Sequence, residues 1–123
     1  MMKLIKNFLA TSAIPHRRQV KAGANDGEVA LATASTDLIL GVTDCPGGAV
    51  IGDRVDVVLL GETELDIGGT IAFGAFFTAD AAGRGLAAAP AAGVNARTGG
   101  IMTIGAVSGD IARVLVTPSR IQG

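Results

Sequence analysis

Short alternating runs separated by glycine constrain this chain more than any other feature of its sequence. The clearest example is GDRVDVVLLGETELDIGGTIAFGAFFTADAAGRG, residues 52–85. After Gly52, apolar and polar residues alternate with a period of two, which is typical of a β-strand with one buried face. Gly61 and the Gly68–Gly69 pair divide the segment, so we predict three antiparallel strands joined at glycines. Three of the four phenylalanines lie here, and we expect the core to be built around this meander.

The rest of the chain repeats the pattern. Short apolar runs, such as the strand predicted at Gln19–Ala22, alternate with turn sequences such as NDG at residues 25–27 and SGD at residues 108–110. We expect Pro118 to end the last strand. Eighteen glycines and many β-branched residues argue against a helical protein. A length of 123 residues suits one domain with one core. We therefore predict an all-β fold, a small β-barrel or sandwich-like domain of about eight short antiparallel strands with an N-terminal arm.

Residues 1–16 are expected to form the arm, and residues 17–123 the β-barrel-like domain. The apolar residues of the arm fit one face of a short helix, and they fit equally an extended tail along a neighbour. Pro15 ends this segment, because the residue before a proline avoids helical geometry. Lys6 and Asn7 interrupt its apolar run, so we expect no secretory signal.

Charge is divided unevenly along the chain. Residues 1–21 contain five cations and no acid, whereas the remainder contains five arginines and all eleven acids. This division predicts that the basic segment contacts something negative, such as a neighbouring copy or another protein. Nucleic acid is the weakest candidate, because the cations are not interleaved with aromatic residues in a known binding fold. We expect partner contacts at Phe8, His16, Arg17, Arg18 and Lys21.

The mean hydropathy of +0.49 is high for a small domain in water. No apolar run approaches the ~20 residues needed to span a bilayer, so we expect no membrane segment. Two interpretations remain open. The excess can reflect a core rich in alanine and valine, or apolar surface that is buried against other subunits or a partner.

Residues suited to catalysis are scarce and scattered. His16 is the only histidine, and Cys45, the only cysteine, lies in a CPGG loop. No nucleophile, metal-binding or phosphate-binding motif is present, so we expect no enzyme activity, no cofactor and no metal.

Glu62, Glu64 and Asp66 are the most suggestive carboxylates. They are spaced two apart on one predicted strand face, about 7 Å from one to the next. That spacing permits a cation site or an acid–base pair, but nothing nearby supplies the apolar pocket that such a pair needs. We favour a solvated face or a docking row for the arginines of a neighbour.

Five stretches of the chain resemble a family of tailed-phage and prophage capsid decoration, or cement, proteins, long catalogued as a domain of unknown function. In order they are VKAGANDGEV from residue 20, STDLILGVTD from 35, GDRVDVVLLGETELDIGGTIAFG from 52, FTADAAGRGLAAAPAAG from 77 and GDIARVLVTPSRIQG from 109. Each stretch alone is a turn-and-strand signature. Their order and spacing carry the resemblance over most of the chain, with residues 1–16 the least supported part.

The resemblance implies a non-enzymatic β-barrel subunit without a cofactor. Such a subunit binds the outer face of a phage head, as a trimer or alternatively a dimer, and stabilises the shell by bridging neighbouring major capsid subunits. The implied partners are the major capsid protein and further copies of the chain, with no nucleic acid and no membrane. The implied location is the virion, after synthesis in the bacterial host cytoplasm.

Two other functions are kept as alternatives. One is a β-barrel binding module of a phage tail or spike that recognises a host surface, although sugar sites usually need more aromatic residues than this chain has. The other is an enzyme that uses the acidic strand face.

Overall fold

The computed structural model describes residues 3–90 and 92–122. These residues form nine β-strands and no helix, and so no helix that could cross a membrane. In chain order the strands are β1 (Lys3–Ala10), β2 (Gln19–Ala22), β3 (Glu28–Leu31), β4 (Ile39–Thr43), β5 (Arg54–Asp66), β6 (Phe76–Ala79), β7 (Gly85–Ala87), β8 (Asn95–Met102) and β9 (Ile111–Gln122). The prediction of an all-β fold is confirmed, with nine strands where about eight were expected.

Five of the strands close into a small barrel in the order β1-β3-β2-β4-β5, with β5 pairing back onto β1. The β1–β3 pair is parallel, and the other pairs are antiparallel. Alternate residues of a strand point to opposite faces, and the inward-facing ones form a first core of small aliphatic side chains, among them Val20, Val29, Val55 and Val57. The N-terminal segment is therefore one wall of this barrel.

The remaining strands extend the sheet from β5 in the order β9, β8, β6 and β7. The two ends of this second part approach each other. Ile67, just after β5, forms a β-bridge with Gly85 in β7. There the N–H of Gly68 donates to the carbonyl of Gly85 at 2.8 Å. A second core lies inside this curved sheet and contains Phe77 and Met102, both fully buried.

Strand β5 belongs to both halves of the molecule. Val57 packs in the first core, whereas the next residue, Val58, packs in the second. We expected Gly61 to end this strand, and that expectation is wrong. Gly61 has a φ of 113°, which glycine adopts without steric cost, and the strand continues through it with β1 on one side and β9 on the other.

Strand β9 runs through Pro118, which we had expected to end the ladder. The β8–β9 register shifts at this point, since Gly100 pairs with Val116 but Thr98 pairs with Ser119. Two residues of β9 therefore face a single residue of β8. Proline has no N–H to donate and is tolerated in a strand at such a bulge, which is why the predicted strand end is wrong.

The N-terminal segment is extended. Residues 3–9 pair with β5 of the same chain, so the short-helix interpretation is wrong. Beyond this pairing, only Leu9 and Ala10 of β1 have partners on the opposite edge, in β3. The division of the chain at residue 16 into an arm and a barrel-like domain stays a prediction.

Candidate interaction surface

The five predicted contact residues do not form one patch. Phe8 is half-buried and packs against the first core. The Nδ1 atom of His16 accepts a hydrogen bond of 3.0 Å from the backbone N–H of Cys45. Lys21, in β2, forms an ion pair of 3.4 Å with Asp37. Each of these three predicted residues thus has a partner within its own chain.

Arg17 and Arg18 meet at a single carboxylate. Arg17 Nε lies 2.8 Å from Asp66 Oδ1, and Arg18 Nε lies 3.0 Å from Asp66 Oδ2. Arg18 Nη1 also donates to the carbonyl of Ala82 at 2.9 Å. Among the non-glycine residues that the structure describes, only Arg17 has a positive φ, 60°, a conformation that sterics disfavour. This local turn lets consecutive arginines reach the same acid at the end of β5.

The pKa values of Asp66 and Asp37 are both lowered, which favours their ionised forms. Burial raises the pKa of Asp66, but the hydrogen bonds and charges of Arg17 and Arg18 outweigh it and hold that pKa below its ordinary value of 3.8. Burial likewise raises the pKa of Asp37, and backbone N–H groups together with Lys21 bring it below 3.8. These acids are charge partners at neutral pH, and neither is suited to donate a proton.

Three of the predicted residues do share a surface. His16, Arg17 and Arg18 line an open groove of about 370 Å³ together with Gly47 and Gly48. Phe8 and Lys21 lie outside this groove. We call it the arginine groove. Its positive charge is partly neutralised by Asp66, which lines the same groove.

The acidic face of β5 does not gather its carboxylates into one site. Asp66 is bound by the two arginines, and Glu64 stands directly opposite Arg113 of β9. Glu62 stands opposite Leu115. The predicted docking row for arginines is therefore partly filled by arginines of the same chain. Within residues 3–90 and 92–122, no group of three or more His, Cys, Asp or Glu side chains is placed to hold a metal ion.

The only histidine and the only cysteine are neighbours without forming a nucleophile–base pair. His16 accepts its hydrogen bond from the backbone of Cys45. Burial raises the pKa of the Cys45 thiol, and this disfavours the reactive thiolate. The arrangement therefore lacks the activated thiol that nucleophilic catalysis requires.

An apolar groove that the sequence pattern did not identify lies where β1, β5 and β9 meet. Leu4, Leu60 and Leu115 line it, together with Lys3 and Gly61, and its volume is about 330 Å³. In the single chain Leu4 is 57% exposed and Leu60 is 52% exposed. We call this feature the leucine groove.

The apolar surface continues from the leucine groove across the sheet. Leu115 pairs with Ile101 of β8, and Ile101 pairs with Phe76 of β6. Directly opposite residues on adjacent strands point to the same face, so Leu115, Ile101 and Phe76 form a row. This row meets β5 at Glu62, two residues beyond Leu60. Together with Leu4 and Leu60 the apolar surface crosses five strands, which is about 19 Å at the usual spacing. We call these five residues the outer strip.

The outer strip could not be identified from the sequence alone, because its five residues lie on five different strands and only the strand register brings them together. We expect Phe76 to lie in the core together with its neighbours, but it is 39% exposed, whereas Phe77 is fully buried. The one signal in the sequence was the high mean hydropathy, for which exposed apolar surface was one of the two interpretations.

No family model matches the chain, and no curated protein gives a significant match. Among solved structures, the chain is similar to the N base of the head fiber gp8.5 of bacteriophage phi29, with a TM-score of 0.71. The two share a fold. The similarity covers 99% of this chain and 100% of that chain at 17% sequence identity. The complete coverage means that both halves of the nine-stranded molecule take part in the match.

Proposed function

We propose that this protein is a structural component of a bacteriophage head, bound to the outer surface of the shell. The observation that carries the proposal is the match over the whole length of the chain to a domain from a phage head fiber. The resemblance of the sequence to capsid decoration proteins supports the same role independently. This proposal is less specific than the sequence resemblance, because it requires only that the protein is a head component with this fold.

In finer detail, we propose a decoration protein that binds the major capsid protein and clamps neighbouring shell subunits together. Once one shell subunit is bound, contact with a second becomes intramolecular, so weak contacts combine into strong attachment. We propose a trimer as the bound form, because a ring of three copies would join several shell subunits at once. The role is mechanical and needs neither catalysis nor a cofactor.

The predicted contact residues belong to this proposal. A guanidinium group has five N–H donors, and Asp66 takes only the Nε donor of Arg17. The remaining donors of Arg17 can reach carboxylates or carbonyls of a shell subunit from the arginine groove. His16 and Arg18 line the same groove and support this contact, whereas Phe8 and Lys21 are expected to act at a different place on the surface.

Co-sedimentation with empty shells tests the proposal. Shells are assembled from the major capsid protein of the source phage without this protein, mixed with the purified chain and pelleted. We expect saturable binding at a fixed ratio to the shell subunit. Shells already saturated with unlabelled protein serve as the control, because they should not take up labelled chain. A chain that stays in the supernatant at saturating concentrations would contradict the proposal, and binding to host cells instead would favour a tail or spike module.

A further inference from the structure

We propose that a second cavity beside Asp66 binds a carboxylate side chain of the shell subunit, with Arg84 as its third guanidinium group. The inference rests on the proposed binding to the shell and names the chemical group that one contact recognises. The cavity has a volume of about 250 Å³. It shares Arg17, Arg18 and Asp66 with the arginine groove and adds Arg84, which the sequence did not single out. We call it the Arg84 pocket.

All three guanidinium groups are held in the same way, by an aspartate that binds their Nε atom. Asp66 binds Arg17 and Arg18, and Asp80 binds Arg84 at 3.0 Å. Within the described part of the chain, Arg17 and Arg84 each use one of the five N–H donors of a guanidinium, and Arg18 uses two. The terminal Nη groups therefore keep most of their donors for a further acceptor.

The remaining donors lie on side chains that are only partly solvated. The exposed fraction is 29% for Arg17, 20% for Arg18 and 40% for Arg84. A partly buried N–H group gains from an acceptor that replaces the water it has lost. A carboxylate is well suited as this acceptor, because its two oxygens match two parallel N–H donors of a guanidinium and the charge strengthens both hydrogen bonds.

The walls of the pocket are fixed to one another within the chain. The backbone N–H of Asp66 donates to the carbonyl of Arg17 at 3.0 Å, and that of Ile67 donates to the carbonyl of Asp110 at 2.9 Å. These contacts also hold Arg17 in its disfavoured φ of 60°. A site whose parts are already held in place binds its ligand at a smaller ordering cost.

The charges around the pocket favour a single carboxylate over a phosphate or a nucleic acid. Asp66 and Asp110 line the pocket, and Asp80 compensates Arg84 without being part of the lining. Three aspartates thus balance three arginines, whereas polyanions bind where cations are in excess. Ile111 also lines the pocket and is 52% exposed, so it can pack against the methylene groups of a glutamate. The pocket therefore suits a carboxylate on an apolar stem.

Binding of Arg84 variants to empty shells tests the inference. We expect Arg84→Gln to weaken the affinity for shells by about tenfold, because the carboxylate of the shell subunit then loses a charged donor. Arg84→Lys keeps the charge but not the two parallel donors, so it should weaken the affinity by about threefold. Arg120→Gln is the matched control, since Arg120 is exposed, lies outside the pocket and makes the same change in net charge. It should bind like the wild type, and circular dichroism should show that all three variants keep the β fold.

Titration with small molecules provides a second test that needs no shells. The probe is glutamate with an acetylated amino group and an amidated α-carboxyl, so that only its side chain is charged. The equally capped glutamine is its neutral control, and inorganic phosphate represents the alternative ligand. In NMR spectra of the labelled full chain, we expect capped glutamate to shift the Nε–H signals of Arg17, Arg18 and Arg84 saturably. The Arg120 signal should not move, and capped glutamine should shift none of them.

Several results would overturn the inference. If Arg84→Gln bound shells as tightly as the wild type, Arg84 would not be part of the contact, and the proposed head role would still stand. If the three arginine signals ignored capped glutamate, or responded more strongly to phosphate, the ligand would not be a carboxylate. If Arg84→Gln lost self-association in sedimentation velocity and kept its shell binding, the carboxylate would belong to a second copy. A wild type that does not bind shells, but whose arginines respond to capped glutamate, would contradict the head role and remove the shell as the source of the carboxylate.

Discussion

Asp66 is the residue that connects the predicted contact segment to the body of the protein. It accepts a hydrogen bond from each of two consecutive arginines, and its own backbone N–H donates to the carbonyl of Arg17 at 3.0 Å. The sequence separates these partners by 48 and 49 positions. The basic segment is therefore fixed to the end of β5, and the arginine groove is formed before any partner binds.

Replacing Asp66 by asparagine is expected to lower the free energy of unfolding by about 1 kcal/mol at pH 7, because partly exposed ion pairs contribute modestly. The pKa of Asp66 lies below 3.8 in the folded chain. Its contribution is therefore complete above pH ~4 and is lost as the pH falls through the lowered pKa. Denaturant unfolding of the wild type and Asp66→Asn from pH 7 to pH 2.5 should show the difference shrinking in acid.

Asp26→Asn is the control for this experiment. Asp26 is exposed in the turn between β2 and β3, and its substitution makes the same change in net charge. Its unfolding free energy should stay within about 0.5 kcal/mol of the wild type. A difference between wild type and Asp66→Asn that grows as the pH falls would show that the ion pairs do not stabilise the fold.

The close approach of β8 and β9 depends on a glycine. A Cβ atom added to Gly100 would collide with the backbone carbonyl of Leu115 on β9, and a backbone atom cannot move aside as a flexible side chain can. Glycine therefore allows the two strands to approach at the bulge beside Pro118. The next residue along β8, Ile101, pairs with Leu115 in the outer strip.

Gly100→Ala is expected to destabilise the fold by about 2 kcal/mol or more, because the added atom forces the strands apart. Gly105→Ala is the matched control, since an added Cβ there meets its nearest atoms at the ordinary distance of 3.7 Å. Thermal unfolding of both variants compares them directly. Equal midpoints for the two variants would contradict the packing described here.

A strand or turn could be predicted from the sequence where neighbouring residues determine it, and not where pairing with a distant strand determines it. The strand Gln19–Ala22 and the turn at residues 25–27 were predicted from neighbouring residues and are confirmed. Gly61 and Pro118 do not end their strands. Gly61 stays in β5 because β1 and β9 pair with it on both sides, and Pro118 lies at a bulge that is set by the β8–β9 register. The outer strip could not be predicted for the same reason. Its residues extend from Leu4 to Leu115 in the sequence, and only strand pairing brings them together.

The complete chain combines two cores on one long strand with two separate surfaces. The arginine groove is polar and partly charge-compensated, and the leucine groove is apolar. The proposed bridging role requires more than one contact surface, and these two grooves are candidates for such surfaces.

The number of copies of this protein in purified phage particles tests the head role most directly. Quantitative mass spectrometry against the major capsid protein measures it, and empty shells separated from tails locate the signal. We expect a fixed ratio of about one copy per shell subunit, retained in the tail-less shells, because the bridging contact repeats over a symmetric shell. Absence from the particles would contradict the proposed role, and a handful of copies lost together with the tails would assign the protein to the tail.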